Sequence, residues 1–282
     1  MSCISIYLKV NYLYNQLTPP RSQGDKWNLT FKISQNTYNL RALHYIKKEL
    51  GAGSISVESK RNLAHFRIRD RKVINSIIFP IFDKYPLLTT KYFNYNIFKE
   101  AYFILENNNL TKLERNELLE NLLLTKPSNS YISPAWGNIT IPLKDANEAK
   151  KVVSKAWLTG FVEAECSFII KKNINEYMVI FNITLNSTER SNLFVLYSIK
   201  QIFNISSSVK YDQCNGIYEL TISNSRDCDS IIKFLNKKLK SIKSLEFKLW
   251  SKGYFYQKEN NTNKIDKIYK ILNRLKLRTN LK

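Results

Sequence analysis

The chain has 282 residues, 44% of them hydrophobic, a length that suits two modest domains or one domain made of two halves. Lys and Arg total 44 against 23 Asp and Glu, a net charge of +21 with a pI near 9.7, and mean hydropathy is −0.33. This balance excludes a membrane-like chain and points to a polyanionic partner, because self-repulsion of that size calls for neutralisation. The two histidines, His44 and His65, leave little room for a histidine-metal nuclease or a Ser-His-Asp triad. Cysteines 3, 166, 214 and 228 have no zinc spacing. The 31 Asn are dispersed among abundant Lys, Ile, Leu, Tyr and Phe. Most of these residues have A/T-rich codons, so the composition fits an A/T-rich genome such as a fungal mitochondrial one.

Taken in chain order, residues 1–26 form a divergent segment. MSCISIYLKVNYLYNQL has no basic n-region and its apolar residues are interrupted, so it does not read as a signal or transit peptide. LTFKIS (29–34) alternates and reads as a strand. NLRALHYIKKEL, from Asn39, carries Leu40, Leu43, Ile46 and Leu50 on one face and reads as an amphipathic helix. SISVES (54–59) and AHFRIRD (64–70) look like a hairpin, followed by helices over 72–82 and 91–105. Residues 106–154 are a linker holding a Glu/Leu helix near Thr111–Leu124 and then Pro127, Pro134 and Gly137.

The second half repeats the first at an offset of about 153. Asn39, Leu40, Leu43, Ile46 and Lys47 match Asn192, Leu193, Leu196, Ile199 and Lys200. VIFNIT (179–184) answers the first strand. SSVKYD (207–212) and IYELTIS (217–223) answer the hairpin, with Asn215–Gly216 as its turn. Helices over 228–239 and 243–257 follow, and Lys91 and Lys243 open the corresponding helices of the two halves. The domains expected are therefore 27–105 and 155–257, joined by 106–154 and followed by a basic tail over 258–282. From Lys240 to the end stand ten Lys and two Arg against three acids, a run expected to lie against phosphates.

Before the second repeat stands AWLTGFVEAECSFIIKK, Ala156 to Lys172. LTGFVEAEC (158–166) resembles the LAGLIDADG nonapeptide, with Cys166 where that motif has Gly. The flanking Trp157 and SF–II resemble it too, as do YPLLTTKYFNY (85–95) and KSLEFKLW (243–250) at the starts of the third helices. Over roughly residues 27–257 the chain resembles the LAGLIDADG homing endonucleases and group I intron maturases.

The resemblance implies an α+β fold of two pseudo-symmetric αββαββα repeats whose antiparallel sheets form a nucleic-acid-binding saddle. It implies that two nonapeptide helices pack closely, which small residues four apart, Gly160 and Ala164, would allow. It places a catalytic metal ligand at Glu165 rather than Glu163, and basic residues at the edge of the active site at Lys91 and Lys243. Carboxylate oxygens there would hold Mg²⁺ in a two-metal arrangement. Lys32, Lys171 and Lys210 are expected on the open strand faces, against the nucleic acid.

The chain departs from the pattern twice. Shifting Glu165 back by the repeat offset lands on Tyr12–Asn15, where no acid stands, and Pro19–Pro20 would break a helix. The first repeat's opening helix and strand are thus read as lost, replaced or left upstream. Cys166 is expected to strain a turn that Gly would make freely.

The function implied is an intron-encoded, site-specific DNA endonuclease by descent, impaired by the missing acid. The alternative is a maturase that helps its group I intron RNA to splice without cutting DNA. The partners implied are double-stranded DNA at the intron-insertion site, the host intron RNA, or both. The protein is expected to be a mitochondrial monomer with no membrane partner.

Overall fold

The computed structural model describes residues 17–18, 27–128, 130–174 and 176–280. The fold is α+β, as the sequence implies. Its described part falls into two compact units, one of residues 27–138 with Glu189–Ser191, the other of 139–188 with 192–280. The opening segment 1–26, read above as divergent, lies outside the described residues except for Leu17–Thr18. The division at 138/139 falls inside the stretch expected to be a linker.

In the first unit, β1 (Leu17–Thr18) pairs with β2 (Asn28–Leu29). β3 (Phe31–Asn36) leads into α1 (Leu40–Leu50), which buries Ala42, Leu43, Ile46 and Leu50, the face its periodicity predicts. Gly51, with φ +65°, closes this helix in the left-handed region. The hairpin β4 (Ser54–Glu58) and β5 (Leu63–Ile68) completes an antiparallel sheet in the order β3-β5-β4. Register pairs Lys32 with Arg67 and Arg67 with Ser54, and likewise Ser34 with His65 and His65 with Ser56. Phe31, Ile33, Ala64, Phe66 and Ile68 therefore share the buried face.

The helix expected over 72–82 is wound in three pieces: α2 (Arg71–Val73), a π-helical turn over Ile74–Ile78, and α3 (Phe79–Lys84). The wider turn stands just before Pro80, which has no N–H to give to a regular ladder. α4 (Lys91–Glu106) packs Tyr95 and Phe98 against Phe79, and α5 (Lys112–Leu124) starts on a reciprocal Thr111/Glu114 cap. The intervening stretch is thus partly ordered as helix. It also carries a 3₁₀ turn at Pro134–Trp136, whose Trp136 indole donates to the Leu88 carbonyl at 2.8 Å.

In the second unit, α6 (Ala146–Val152) precedes α7 (Lys155–Glu165), capped by the Ser154 side chain, which accepts from Trp157 N. The chain passes straight into β6 (Cys166–Lys172) and β7 (Tyr177–Asn186). α8 (Arg190–Phe203) follows, then β8 (Lys210–Asp212), β9 (Ile217–Ile222) and α9 (Ser225–Leu235). α10 (Lys243–Lys258) and α11 (Thr262–Asn280) end the described chain. The sheet order is β6-β7-β9-β8, all antiparallel. Phe168, Phe181, Phe247 and Trp250 cluster behind it, and the Trp250 indole donates to the Ile180 carbonyl at 2.9 Å. β7 runs further than VIFNIT and β8 is shorter than SSVKYD. The turn at Asn215–Gly216 is a four-residue loop in which Asp212 accepts from Asn215 N at 3.1 Å.

Candidate active site and nucleic-acid interface

Alternation decides which strand residues stand together, and the helices decide which face remains open. Behind the first sheet packs α1, so Lys32, Ser34, His65, Arg67, Ser54, Ser56 and Glu58 occupy the face away from it. That face is polar and internally bonded. Ser34 Oγ and His65 Nδ1 are 2.9 Å apart, His65 Nε2 and Glu58 Oε2 are 3.3 Å apart, and Arg67 Nη1 donates to Ser56 Oγ at 2.9 Å. Burial, with Arg67 directly opposite, holds the Lys32 ammonium below the usual lysine range. Two cations crowded on adjacent strands would be relieved by a phosphate.

His65 is only 5% exposed although it lies on the polar face. Burial lowers its pKa, with Lys32 and Arg67 adding to the effect and Glu58 opposing it. A depressed native pKa means that the unfolded chain takes up a proton first. The stability of this unit should therefore fall as pH drops through the ordinary imidazole value near 6.5. Chemical denaturation between pH 8 and pH 5, comparing wild type with His65→Gln, checks this. The variant should lose less stability across that window.

On the second sheet the open face carries Ser167, Ile169 and Lys171 from β6, then Met178, Ile180, Asn182 and Thr184 from β7, with Glu219, Thr221 and Lys210 beyond. Lys171 and Lys210 are exposed there. Asn182 is fixed by its neighbours, accepting from Thr221 Oγ1 at 2.9 Å and donating to Glu219 Oε1 at 3.0 Å. The sequence by itself assigns no place on an open sheet face to the acids Glu58 and Glu219, or to His65 and Arg67. AHFRIRD carried the signal, since His65 and Arg67 alternate with Ala64, Phe66 and Ile68.

α7 ends at Glu165, which is half-buried, and Cys166 begins β6. Cys166 has φ −90° and ψ 154°, ordinary extended backbone. The expected strain is therefore absent: the position needs no glycine, and the 1%-exposed thiol packs in the core opposite Ile183. Burial pushes that thiol far above its usual range, while the Lys243 ammonium pulls it down and the Glu165 carboxylate pushes it up. Glu163 of α7 accepts from Ser241 N at 3.2 Å, so the last turn of α7 lies against the loop that leads into α10.

Lys243 Nζ donates to Glu246 Oε2 at 3.1 Å, with Glu246 side chain only 6% exposed. An ammonium has three donors, and this pairing uses one of them on a partner largely withdrawn from water. Lys276 of α11 joins the same cluster. Burial lowers its pKa, the Glu246 charge raises it and the Lys243 charge lowers it. The sequence placed the basic tail near phosphates only as a group.

Lys91 opens α4 in the first unit, as Lys243 opens α10 in the second, and its backbone N donates to Thr89 Oγ1 at 3.3 Å. Gly160 is buried in α7 and Ala164 half-buried. The helix expected to face them falls on residues outside the described ones. Because Gly160 is buried, Gly160→Leu should cost about 1–3 kcal/mol by overpacking. A thermal melt identical to wild type would remove Gly160 from any close contact.

A metal would find hard oxygens at Glu165, at the carbonyl-rich, negative end of α7. Among the described residues, no group of three or more His, Cys, Asp or Glu side chains gathers.

The family model described as LAGLIDADG endonuclease matches residues 2–102 and 158–254, so the match enters the segment 1–26. The chain is 37% identical over 235 residues to the probable intron-encoded endonuclease Cox1-I1b of Schizosaccharomyces pombe, covering 81% of this chain and 57% of that protein. It is 29% identical over 255 residues to the probable intron-encoded endonuclease aI3 of Kluyveromyces lactis, covering 84% of this chain and 61% of that protein. The chain therefore spans less than two thirds of the length of these relatives. Its fold is similar to that of I-SmaMI bound to uncleaved DNA target in the presence of calcium ions, with a TM-score of 0.70 at 24% identity over 89% of this chain and 90% of that one.

Proposed function

The chain belongs to the LAGLIDADG endonuclease family, and from that premise we propose that it is an intron-encoded, site-specific DNA endonuclease acting at its own intron-insertion site. One observation carries the reading: the nonapeptide helix ends at the Glu165 carboxylate and is tied through Glu163 and Ser241 to the amide of Lys243, in the unit whose sheet presents Lys171 and Lys210 on its open face. In this reading the two sheets' open faces meet duplex DNA, with lysines on phosphates and Asn, Gln and Arg side chains on base edges. The relatives are named endonucleases, which favours this reading over the RNA maturase.

Glu165 would hold Mg²⁺, which supplies an activated water and neutralises charge on the phosphate. Lys243, fixed by Glu246, stands ready to stabilise negative charge developing on phosphate oxygens. Lys91 would do the same from the first unit. Two-metal hydrolysis asks for a second acid, and the place for it in the first repeat holds none, so cleavage is expected to be weak or confined to one strand. The chain would act as a monomer, because it carries both repeats, and in the mitochondrion, whose A/T-rich genomes match its codon bias. Incubating the purified chain with Mg²⁺ and the intronless target, beside a splicing assay on the host intron RNA, tests the proposal. Splicing with no nicking at any enzyme concentration would replace it with the maturase.

A further inference from the structure

We infer that Glu163 is a positioning residue, which sets the entry of α10 and through it the placement of Lys243. Glu163 stands two residues before Glu165 on α7. Residues two apart on a helix point about 200° away from each other, so the two carboxylates address different surroundings. Glu163 turns to the loop ahead of α10. Its Oε1 accepts from Lys240 N, and from Ser241 N at 3.2 Å. Its Oε2 accepts from Ser241 Oγ, and from Ser241 N at 3.3 Å. Ser241, 6% exposed, passes the contact on, because its Oγ accepts from Lys243 N at 3.1 Å. A path of hydrogen bonds thus runs from the nonapeptide helix through Ser241, 78 residues away in sequence, to the backbone of Lys243.

Two features make this a device for aiming Lys243 and not merely another surface contact. Ile242, at the cap position of α10, has no polar side chain, so the helix start depends on groups brought from outside. A carboxylate beside amides at the positive end of a helix is the favourable choice. The first unit repeats the local arrangement. Thr89 stands 152 residues before Ser241, and its Oγ1 accepts from Lys91 N at 3.3 Å. Both halves therefore anchor the amide of the opening lysine on a hydroxyl two residues upstream. Glu163 supplies the carboxylate that holds this hydroxyl in the second half.

The catalytic arm of the test rests on the endonuclease reading, whereas the structural arm does not. Hydrogen exchange at the Ser241 and Lys243 amides is measured in the full chain for wild type, Glu163→Gln, Glu163→Ala and Ser241→Ala. In Glu163→Ala both amides should exchange at least tenfold faster. In Glu163→Gln, whose amide oxygen can still accept from Lys240 and Ser241, they should stay close to wild type. Ser241→Ala should release Lys243 alone, and it serves if Glu163→Ala does not fold. Target nicking should fall tens-fold in kcat for Glu163→Ala with little change in KM for DNA, and be largely restored in Glu163→Gln. Unchanged exchange in both alanine variants overturns the inference, as does a loss confined to KM. Fast exchange in Glu163→Ala within a chain that never nicks DNA upholds the positioning role and defeats the endonuclease reading instead.

Discussion

Glu165→Gln is expected to lower Mg²⁺-dependent cutting of the intron-insertion site by on the order of a thousandfold or more, the scale on which a single group acts when it serves only the transition state. Binding to the same DNA should stay within about twofold. The substitution removes the charge that holds a cation and keeps the shape of the side chain at the end of α7. The neighbouring Cys166 should remain buried, because its extended backbone and core packing do not depend on the acid. The wild type is itself expected to nick more than it breaks both strands, since one acid is present where the two-metal reaction uses two. Quantifying nicked and linear plasmid for both proteins decides the matter. Efficient double-strand cleavage by the wild type would mean that an acid outside the described residues, such as Asp25, completes the site. Equal cutting by Glu165→Gln would strip Glu165 of its role. Splicing that survives Glu165→Gln would establish the maturase function.

The affinity for the DNA target should collapse with salt. A protein that neutralises six to ten phosphates loses about 10³–10⁵ in affinity between 50 and 200 mM salt, because released counterions pay less when the bulk already holds them. A net charge of +21 and open sheet faces bearing Lys32, Arg67, Lys171 and Lys210 put this chain in that regime. Fluorescence anisotropy across a salt series gives the slope of log K against log salt. Lys171→Ala and Lys210→Ala should each flatten it by about one, as expected for single phosphate contacts, and weaken all sequences alike. A slope near zero would show that the charge serves something other than DNA. A change of sequence preference in the lysine variants would move those side chains from phosphates to bases.

Residue by residue, the sequence determined the local order. The 3.6-residue spacing of Leu43, Ile46 and Leu50 specified the buried face of α1, and the doublet spacing of Phe66 and Ile68 specified that of β5. The repeat offset located Lys91 and Lys243 at the first positions of α4 and α10, where the structure has them. The nonapeptide segment itself put the helix-to-strand change at Glu165–Cys166. These features depend on neighbours within a few positions, so one-dimensional periodicity records them.

Only the tertiary structure decided the rest. Alternation shows that Lys171 and Ile169 share a face, but not that the helices cover the other one. The sequence names Cys166 as an odd substitution, yet its strain depended on a φ that only the β6–β7 pairing fixes. His65 reads as one of two stray histidines until Ser34, from across the sheet, and Glu58 close around it. Glu163 reads as a spare acid until the fold brings it to Ser241, 78 residues away. Such contacts arise where distant segments pack, and the environment that makes a carboxylate a cap or a metal ligand is written in neither segment alone.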